Sequence, residues 1–175
     1  MKKSSRNVKR LLVISSNWHK LVVIFSVVAA LLFISISAYA QMKKGISLPK
    51  EWRSYTHVKS MVIPDKSHGL YGFHHIYVNN TGLKTLIEGG EYPQRSIFVG
   101  VFYDVVTEKD GSIHQGKKLF YVLMIKDTRA KETGGWIYAA FDKDGKHIEK
   151  DVKKECYECH TAAKDSDYVF SKFIK

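Results

Sequence analysis

The chain has 175 residues, with 28 lysines and arginines, 17 aspartates and glutamates, two cysteines and a formal net charge of +11. Residues 1–40 hold six of the basic residues and none of the acidic ones, which leaves 22 basic and 17 acidic residues, or +5, for the rest. A mildly basic chain gives no reason to expect a nucleic-acid partner, and its roughly 135 remaining residues suit one ordinary domain with one core.

Residues 1–40 are predicted to be a secretory signal peptide. Their basic residues precede the apolar stretch 21–36, and Ala38, Tyr39 and Ala40 form a small-x-small cleavage site before Gln41. An uncleaved membrane anchor is the alternative, although the apolar stretch is slightly short for a bilayer span. We therefore expect a periplasmic location and a domain that occupies residues 41–175.

The elements predicted after residue 41 are mostly strands, indicated by alternating side chains or by a high content of β-branched and aromatic residues. In chain order they are a helical turn opened by Pro49, strands at 57–62 and 73–78, a helix capped by Thr81 and ended by Gly89, a hairpin of 95–106 and 117–125, a strand at 136–141, and a helix from about Val152. Strands first and a helix last predict an α+β, mainly β domain, built on an antiparallel β-sheet with a few short helices, the last of them C-terminal.

The C-terminal helix carries Cys156, Cys159 and His160 in the order C-x-x-C-H. This spacing is typical of c-type haem, whose two vinyl groups react with the two thiols while the adjacent histidine binds the iron. Three other interpretations compete with haem. A structural zinc site would need a further ligand, and a redox disulfide usually lies at the start of a helix that follows a strand. The third is that so short a motif matches by chance. The secretory signal favours haem, because c-type haem is attached outside the cytoplasm. One covalent haem c with His160 as its iron ligand is thus predicted.

Segments along nearly all of the predicted domain resemble the cytochrome P-460 family, which includes the c-prime-beta cytochromes. They are Trp52, residues 57–61, residues 75–79, Lys126 with Asp127, residues 133–136, the C-x-x-C-H run and residues 167–171. The resemblance implies an antiparallel sheet, a homodimer and one haem held by the C-terminal motif. It also implies that His160 is the proximal ligand and that the distal side of the haem is open or apolar.

The resemblance also separates two types of member by their distal residues. Hydroxylamine-oxidising members carry a lysine cross-linked to the porphyrin, a distal arginine and, in active forms, a distal carboxylate. Those positions fall at Gly100, near His74 and near Val122 in this chain, and no lysine occurs between Arg95 and Val106. The cross-link is therefore expected to be absent, which favours the c-prime-beta type, whose apolar distal pocket is capped by phenylalanine. The candidates for this cap are Phe73, Phe98 and Phe102.

His74 and His75 are neighbours in a predicted strand, so at most one of them can face the haem. A distal His74 could donate a hydrogen bond to a ligand, support proton transfer or bind the iron, although a strand histidine is more often a hydrogen-bonded or surface residue. Met61 and Met124 could be axial ligands of an electron carrier, but strand methionines more often fill a core.

Three functions follow as hypotheses. The first is a periplasmic haem protein that binds NO or CO, because a pocket without donors gives up stabilisation of the polar Fe–O₂ unit and loses less for these gases. The second is an oxidoreductase acting on hydroxylamine or NO. The third is a low-spin electron-transfer cytochrome, for which the lysine-rich segment 143–154 could dock an acidic redox partner.

Overall fold

The computed structural model describes residues 45–173. The predicted signal peptide, with its alternative as a membrane anchor, lies outside the described residues. Within residues 45–173, no helix is both long enough and apolar enough to cross a membrane.

Six antiparallel strands form one sheet, and their order across the sheet is their order along the chain. They are β1 (Thr56–Ile63), β2 (Gly72–Val78), β3 (Ile97–Thr107), β4 (Ile113–Lys126), β5 (Trp136–Asp142) and β6 (His147–Ile148). Every strand therefore pairs with its sequence neighbour. This arrangement confirms the mainly β, antiparallel fold predicted from the order of elements.

Short helices connect and flank these strands. A 3₁₀ turn (Trp52–Ser54) precedes β1, helix α1 (Asn80–Glu88) joins β2 to β3, and a second 3₁₀ turn (Lys131–Thr133) precedes β5. The chain then continues through a π-helical turn (Lys153–Tyr157), the single turn α2 (Glu158–His160) and a 3₁₀ turn (Thr161–Ser166). We call residues 153–166 the C-terminal helical segment, and it carries the C-x-x-C-H run, as predicted.

Most predicted strand ends lie within two residues of the observed ones, and three features differ more. Strand β4 begins at Ile113 instead of residue 117, because its ladder with β3 continues past irregularities at Tyr103. The two-residue strand β6 carried no sequence signal long enough to be found. The predicted Thr81 cap is wrong: α1 is capped by Asn79, whose side-chain oxygen accepts a hydrogen bond from the N–H of Gly82 at 3.0 Å.

The two faces of the sheet bury different apolar clusters, because successive strand residues point to opposite sides. One face packs against α1 and the C-terminal helical segment, and its cluster includes Val78, Phe98, Met124, Trp136 and Tyr138. The other face packs against the chain around Trp52, and its cluster includes Val99, Val101, Leu123 and Phe141. The first face also holds the candidate site.

Replacing Asn79 by alanine should destabilise the domain by about 2 kcal/mol, because a helix cap and a loop tether are lost together. Besides capping α1, the Asn79 side chain accepts from the N–H of Ile97 at 3.0 Å and donates to the Arg95 carbonyl at 2.9 Å. Urea unfolding measures the change. Asn80→Ala is the matched control, since Asn80 is exposed and makes no side-chain hydrogen bond among the described residues. Equal unfolding free energies for the two variants would contradict the assigned cap.

Candidate functional site

A largely apolar cavity opens on the first face of the sheet, between the strands and the C-terminal helical segment. Its empty space, with the open mouth included, is about 980 Å³. The predicted site residues that line it are His74, Phe98, Gly100, Phe102, Cys156, Cys159 and His160. Residues from distant parts of the sequence therefore meet around one space, with the C-x-x-C-H residues on one side and strand residues on the other.

Phe73 does not belong to this group. Its ring packs against His75, with ring centroids 5.0 Å apart, whereas His74 lines the cavity. The reason is the alternation of side chains along β2, which turns residues 73 and 75 to the opposite face. The prediction of Phe73 as a candidate for the cap is therefore wrong, whereas Phe98 and Phe102 both line the cavity.

His160 is held in one tautomer by the backbone. Its Nδ1 lies 2.7 Å from the carbonyl oxygen of Tyr168, which can only accept, so Nδ1 carries the proton and Nε2 keeps its lone pair. Burial lowers the pKa of His160, although the hydrogen bond to Tyr168 opposes this shift, and the imidazole is neutral at neutral pH. A neutral imidazole whose second nitrogen is anchored on a carbonyl is the form in which histidine binds a metal.

A buried ion pair fixes the segment that supplies this carbonyl. Lys126 is 2% exposed, and its Nζ donates to the two carboxylate oxygens of Asp167 at 2.6 and 2.7 Å. The Tyr92 N–H also donates to Asp167 at 2.8 Å, and the Trp136 indole N–H donates to it at 3.3 Å. Asp167 is therefore bound to β4, to β5 and to the loop before β3.

The backbone at this point is strained. Asp167 and Tyr168 have φ values of +49° and +66°, in the left-handed region that costs non-glycine residues of order 1 kcal/mol each. The ring of Tyr168 covers Gly134, where an added Cβ would lie 2.4 Å from ring carbons. The ion pair and this close packing together hold the strained turn, and the turn presents the Tyr168 carbonyl to His160.

Gly100 leaves space on the strand side of the cavity. It is paired with Val122 across the β3–β4 ladder, and a Cβ at position 100 would lie only 2.6 Å from the Val122 Cγ2 and 3.2 Å from the Phe102 ring. A longer side chain at position 100 therefore also requires a change at Val122. Two of the three positions singled out by the family resemblance are thus direct cross-strand neighbours.

His74, the third of these positions, is almost fully buried. It is 3% exposed, its Nε2 lies 2.8 Å from the Leu70 carbonyl oxygen, and its ring packs against Phe102 with centroids 3.9 Å apart and the ring planes tilted by 39°. Burial lowers the pKa of His74. His75 lies on the opposite face, where its nitrogens are 2.9 Å from the Ser60 hydroxyl and 2.5 Å from the Gln115 side chain. The prediction that at most one of the two histidines faces the cavity is confirmed.

Sequence reasoning missed Lys59, which lines the cavity from β1 together with Met61. Lysines were sought only around position 100, yet the alternation of β1 would have placed residues 59 and 61 on the same face. Glu155 and Ser171 are further polar residues of the lining, while the apolar residues Met61, Leu70 and Phe170 line the cavity and are 36%, 42% and 47% exposed. Met124 also lines the cavity, but it is packed within the first core cluster.

The residues present fit a haem. The thiols of Cys156 and Cys159 are unpaired and border the same cavity as the fixed imidazole of His160. Tyr138 lines the cavity beside His160, with ring centroids 5.2 Å apart, and its sealed hydroxyl has no hydrogen-bond partner among the described residues. Burial also raises the pKa of Tyr138, which keeps this donor protonated.

Asp167→Asn should destabilise the domain by about 3 kcal/mol, because it leaves the ammonium of Lys126 buried without a compensating charge. Urea unfolding measures the loss. Glu91→Gln is the matched control: Glu91 lies 3.7 Å from the same Nζ, but its side chain is 78% exposed. Solvent screening should limit the loss in the free energy of unfolding of that variant to less than about 0.5 kcal/mol. Similar losses for the two variants would show that the Asp167 pair is no stronger than a surface pair.

The family model for Cytochrome P460 matches residues 49–171, which is more than half of the chain and nearly all of the described residues. No curated protein matches the chain. The matched residues include every strand, the cavity and the C-x-x-C-H run. The chain therefore belongs to the Cytochrome P460 family and is a haem-binding cytochrome.

Proposed function

We propose that the chain is a periplasmic, mono-haem c-type cytochrome that binds NO or CO in an apolar distal pocket. The observation that carries the proposal is the division of one cavity into two chemically different sides. Cys156, Cys159 and His160 lie on one side, and Gly100 and Phe102, with their apolar neighbours, lie on the other. A haem bound between them supplies an iron with one coordination position left for a small molecule.

The chain's own residues account for attachment and orientation. Cys156 is half-buried and Cys159 is exposed, and both thiols are available for thioether bonds to the two vinyl groups. His160 offers the lone pair of Nε2, because its other nitrogen is bonded to the Tyr168 carbonyl. The exposed side chains of Met61, Leu70 and Phe170 at the mouth can cover the edge of an apolar ring system.

The distal wall favours gases that do not need a hydrogen-bond donor. Ile76, Phe102 and Val122 contribute only apolar atoms, and the Nε2–H of His74 is committed to the Leu70 carbonyl. A polar Fe–O₂ unit therefore finds no donor among these four residues, while NO and CO lose less where such a donor is absent. This wall supports the c-prime-beta type within the family.

A hydroxylamine oxidoreductase is the second candidate, and Lys59 is the observation that favours it. The cross-link expected of such members needs an amine near the porphyrin, and Gly100 cannot provide one. Lys59 brings an amine to the same cavity from β1. Val122 nevertheless stands where a carboxylate is expected, so the residue that would accept a proton from hydroxylamine in those members is absent. We propose that no cross-link forms.

An electron-transfer role would require a second protein ligand and a docking surface. Of the two candidate methionines, Met124 belongs to the packed core cluster, and Met61 lines the cavity with its side chain exposed. The lysines proposed to dock a redox partner are partly neutralised: Lys143 pairs with Asp144, Lys150 with Glu155, and Lys153 with Glu132.

A homodimer is proposed from the family resemblance alone.

Two measurements on the same purified protein test the proposed function. The mass of the denatured chain should equal the mature chain plus one haem held by two thioethers, and the reduced protein should show a five-coordinate high-spin spectrum that changes on adding CO or NO. The physical reasons are the single C-x-x-C-H run and the apolar side chains of Ile76, Phe102 and Val122 on the distal wall. His160→Ala is the control, and it should keep the haem attached but lose this spectrum.

Each alternative predicts a different result. Haem that is extracted from the chain by acid and acetone would contradict covalent attachment. A strongly red-shifted Soret band with a third covalent bond, lost in Lys59→Arg, would assign the cross-linked oxidoreductase. Sharp low-spin bands that do not respond to CO would assign the electron carrier.

A further inference from the structure

We propose that His74 is a proton acceptor on the ligand side of the cavity, and that the site therefore also takes small weak acids, written HX, that bind as anions. The proposal rests on the haem site proposed above and extends it to a second class of ligand. Hydrogen cyanide is the simplest probe of that class. The argument depends on which nitrogen of His74 carries the proton, and on what surrounds the other nitrogen.

The hydrogen bond to Leu70 decides the tautomer. A carbonyl oxygen has no proton to give, so the 2.8 Å contact requires Nε2 of His74 to be the donor. Burial lowers the pKa of His74 and keeps the imidazole neutral at neutral pH. The single proton of the ring is thus at Nε2, and Nδ1 has a lone pair. His74 can accept a hydrogen bond or a proton in the cavity, but it has no proton to donate there.

The position of the ring makes Nδ1 available. His74 lines the cavity, and its Nδ1 has no hydrogen-bond partner among the described residues. Among residues 45–173, the Tyr138 hydroxyl is the one unpaired side-chain nitrogen or oxygen that is fully enclosed. Because Nδ1 of His74 is unpaired and is not such an atom, part of its surface is accessible. The close, tilted contact with the Phe102 ring and the hydrogen bond to Leu70 fix the ring from two directions. The acceptor is therefore held in place before any ligand arrives.

The charges around His74 limit how long it can hold a second proton. The groups whose charges act on it are Lys59, His68 and His75, and no carboxylate is among them. Positive neighbours disfavour an imidazolium, so the proton should pass on to solvent through the open mouth of the cavity. His74 is accordingly a transient acceptor instead of a permanent cation.

The proposed step is a proton transfer. When HX enters, the H–X bond breaks, its electron pair stays on X, and the proton moves to Nδ1 of His74. The anion X⁻ is then the species that binds ferric iron. No electrons are exchanged, and no further reactant is needed. CO carries no proton and binds ferrous iron without this step, so it reports on access to the iron alone.

The test compares two association rate constants, measured by stopped flow on the haem-loaded protein at neutral pH. Hydrogen cyanide is mixed with the ferric protein, and CO is mixed with the ferrous protein. Loss of a positioned base typically costs about 10²-fold or more, so His74→Leu should slow cyanide association by roughly that factor. His74→Phe keeps a ring to pack against Phe102 and should slow cyanide equally. The matched control is His75→Leu, on the other face of the same strand, which should leave both rate constants within about twofold.

The outcomes separate this proposal from the proposed function. Slower cyanide association with unchanged CO association, in both His74 variants, supports His74 as the acceptor. Unchanged cyanide association overturns it, and so does an equal slowing of cyanide and CO, which would show that residue 74 controls access only. If the wild type binds CO but its cyanide association matches that of the His74 variants, the proposed gas site stands and His74 is not the acceptor. A wild-type protein that binds neither rejects both.

Discussion

The buried ion pair between Lys126 and Asp167 is the interaction on which the candidate site depends. Taking an ammonium and a carboxylate out of water is costly, and here the cost is offset because the carboxylate also accepts from Tyr92 and Trp136. The pair ties the chain after the C-x-x-C-H run to the end of β4. Together with the packing of Tyr168 on Gly134, it holds the left-handed turn that carries the Tyr168 carbonyl. The orientation and tautomer of His160 follow from that carbonyl.

The sheet contributes the opposite side of the cavity through its alternation and register. In β2 and β3, the paired residues His74 and Phe102 face the cavity, and Gly100 lies between Ile76 and Val122 on the neighbouring strands. A change at one of these positions therefore acts on its cross-strand partner. A Cβ added at position 100 would lie 2.6 Å from the Cγ2 of Val122, so a side chain there must displace Val122. The same register makes the His74 ring a rigid part of the wall.

Local signals in the sequence predicted much of this arrangement. The spacing of Cys156, Cys159 and His160 is complete within five residues, and the alternation of β2 was enough to separate His74 from His75. The same alternation, applied consistently, would have removed Phe73 from the cap. Long-range contacts were beyond such reasoning. Lys126 and Asp167 are 41 residues apart, and only the folded chain brings them together. The cap of α1 was missed for a different reason: Thr81 was predicted as the cap, whereas the Asn79 side chain accepts from the N–H of Gly82 in α1 and from the N–H of Ile97 in β3.

The resonance Raman frequency of the iron–histidine stretch in the reduced protein tests most directly whether the ion pair controls His160. A hydrogen bond from Nδ1 to the Tyr168 carbonyl increases the electron density on Nε2 and strengthens its bond to iron. Asp167→Asn should loosen the turn, weaken that hydrogen bond and lower the frequency relative to the wild type, whereas Glu91→Gln should leave it unchanged. The same frequency in all three proteins would show that His160 is oriented without the ion pair, and would contradict its central place in the structure.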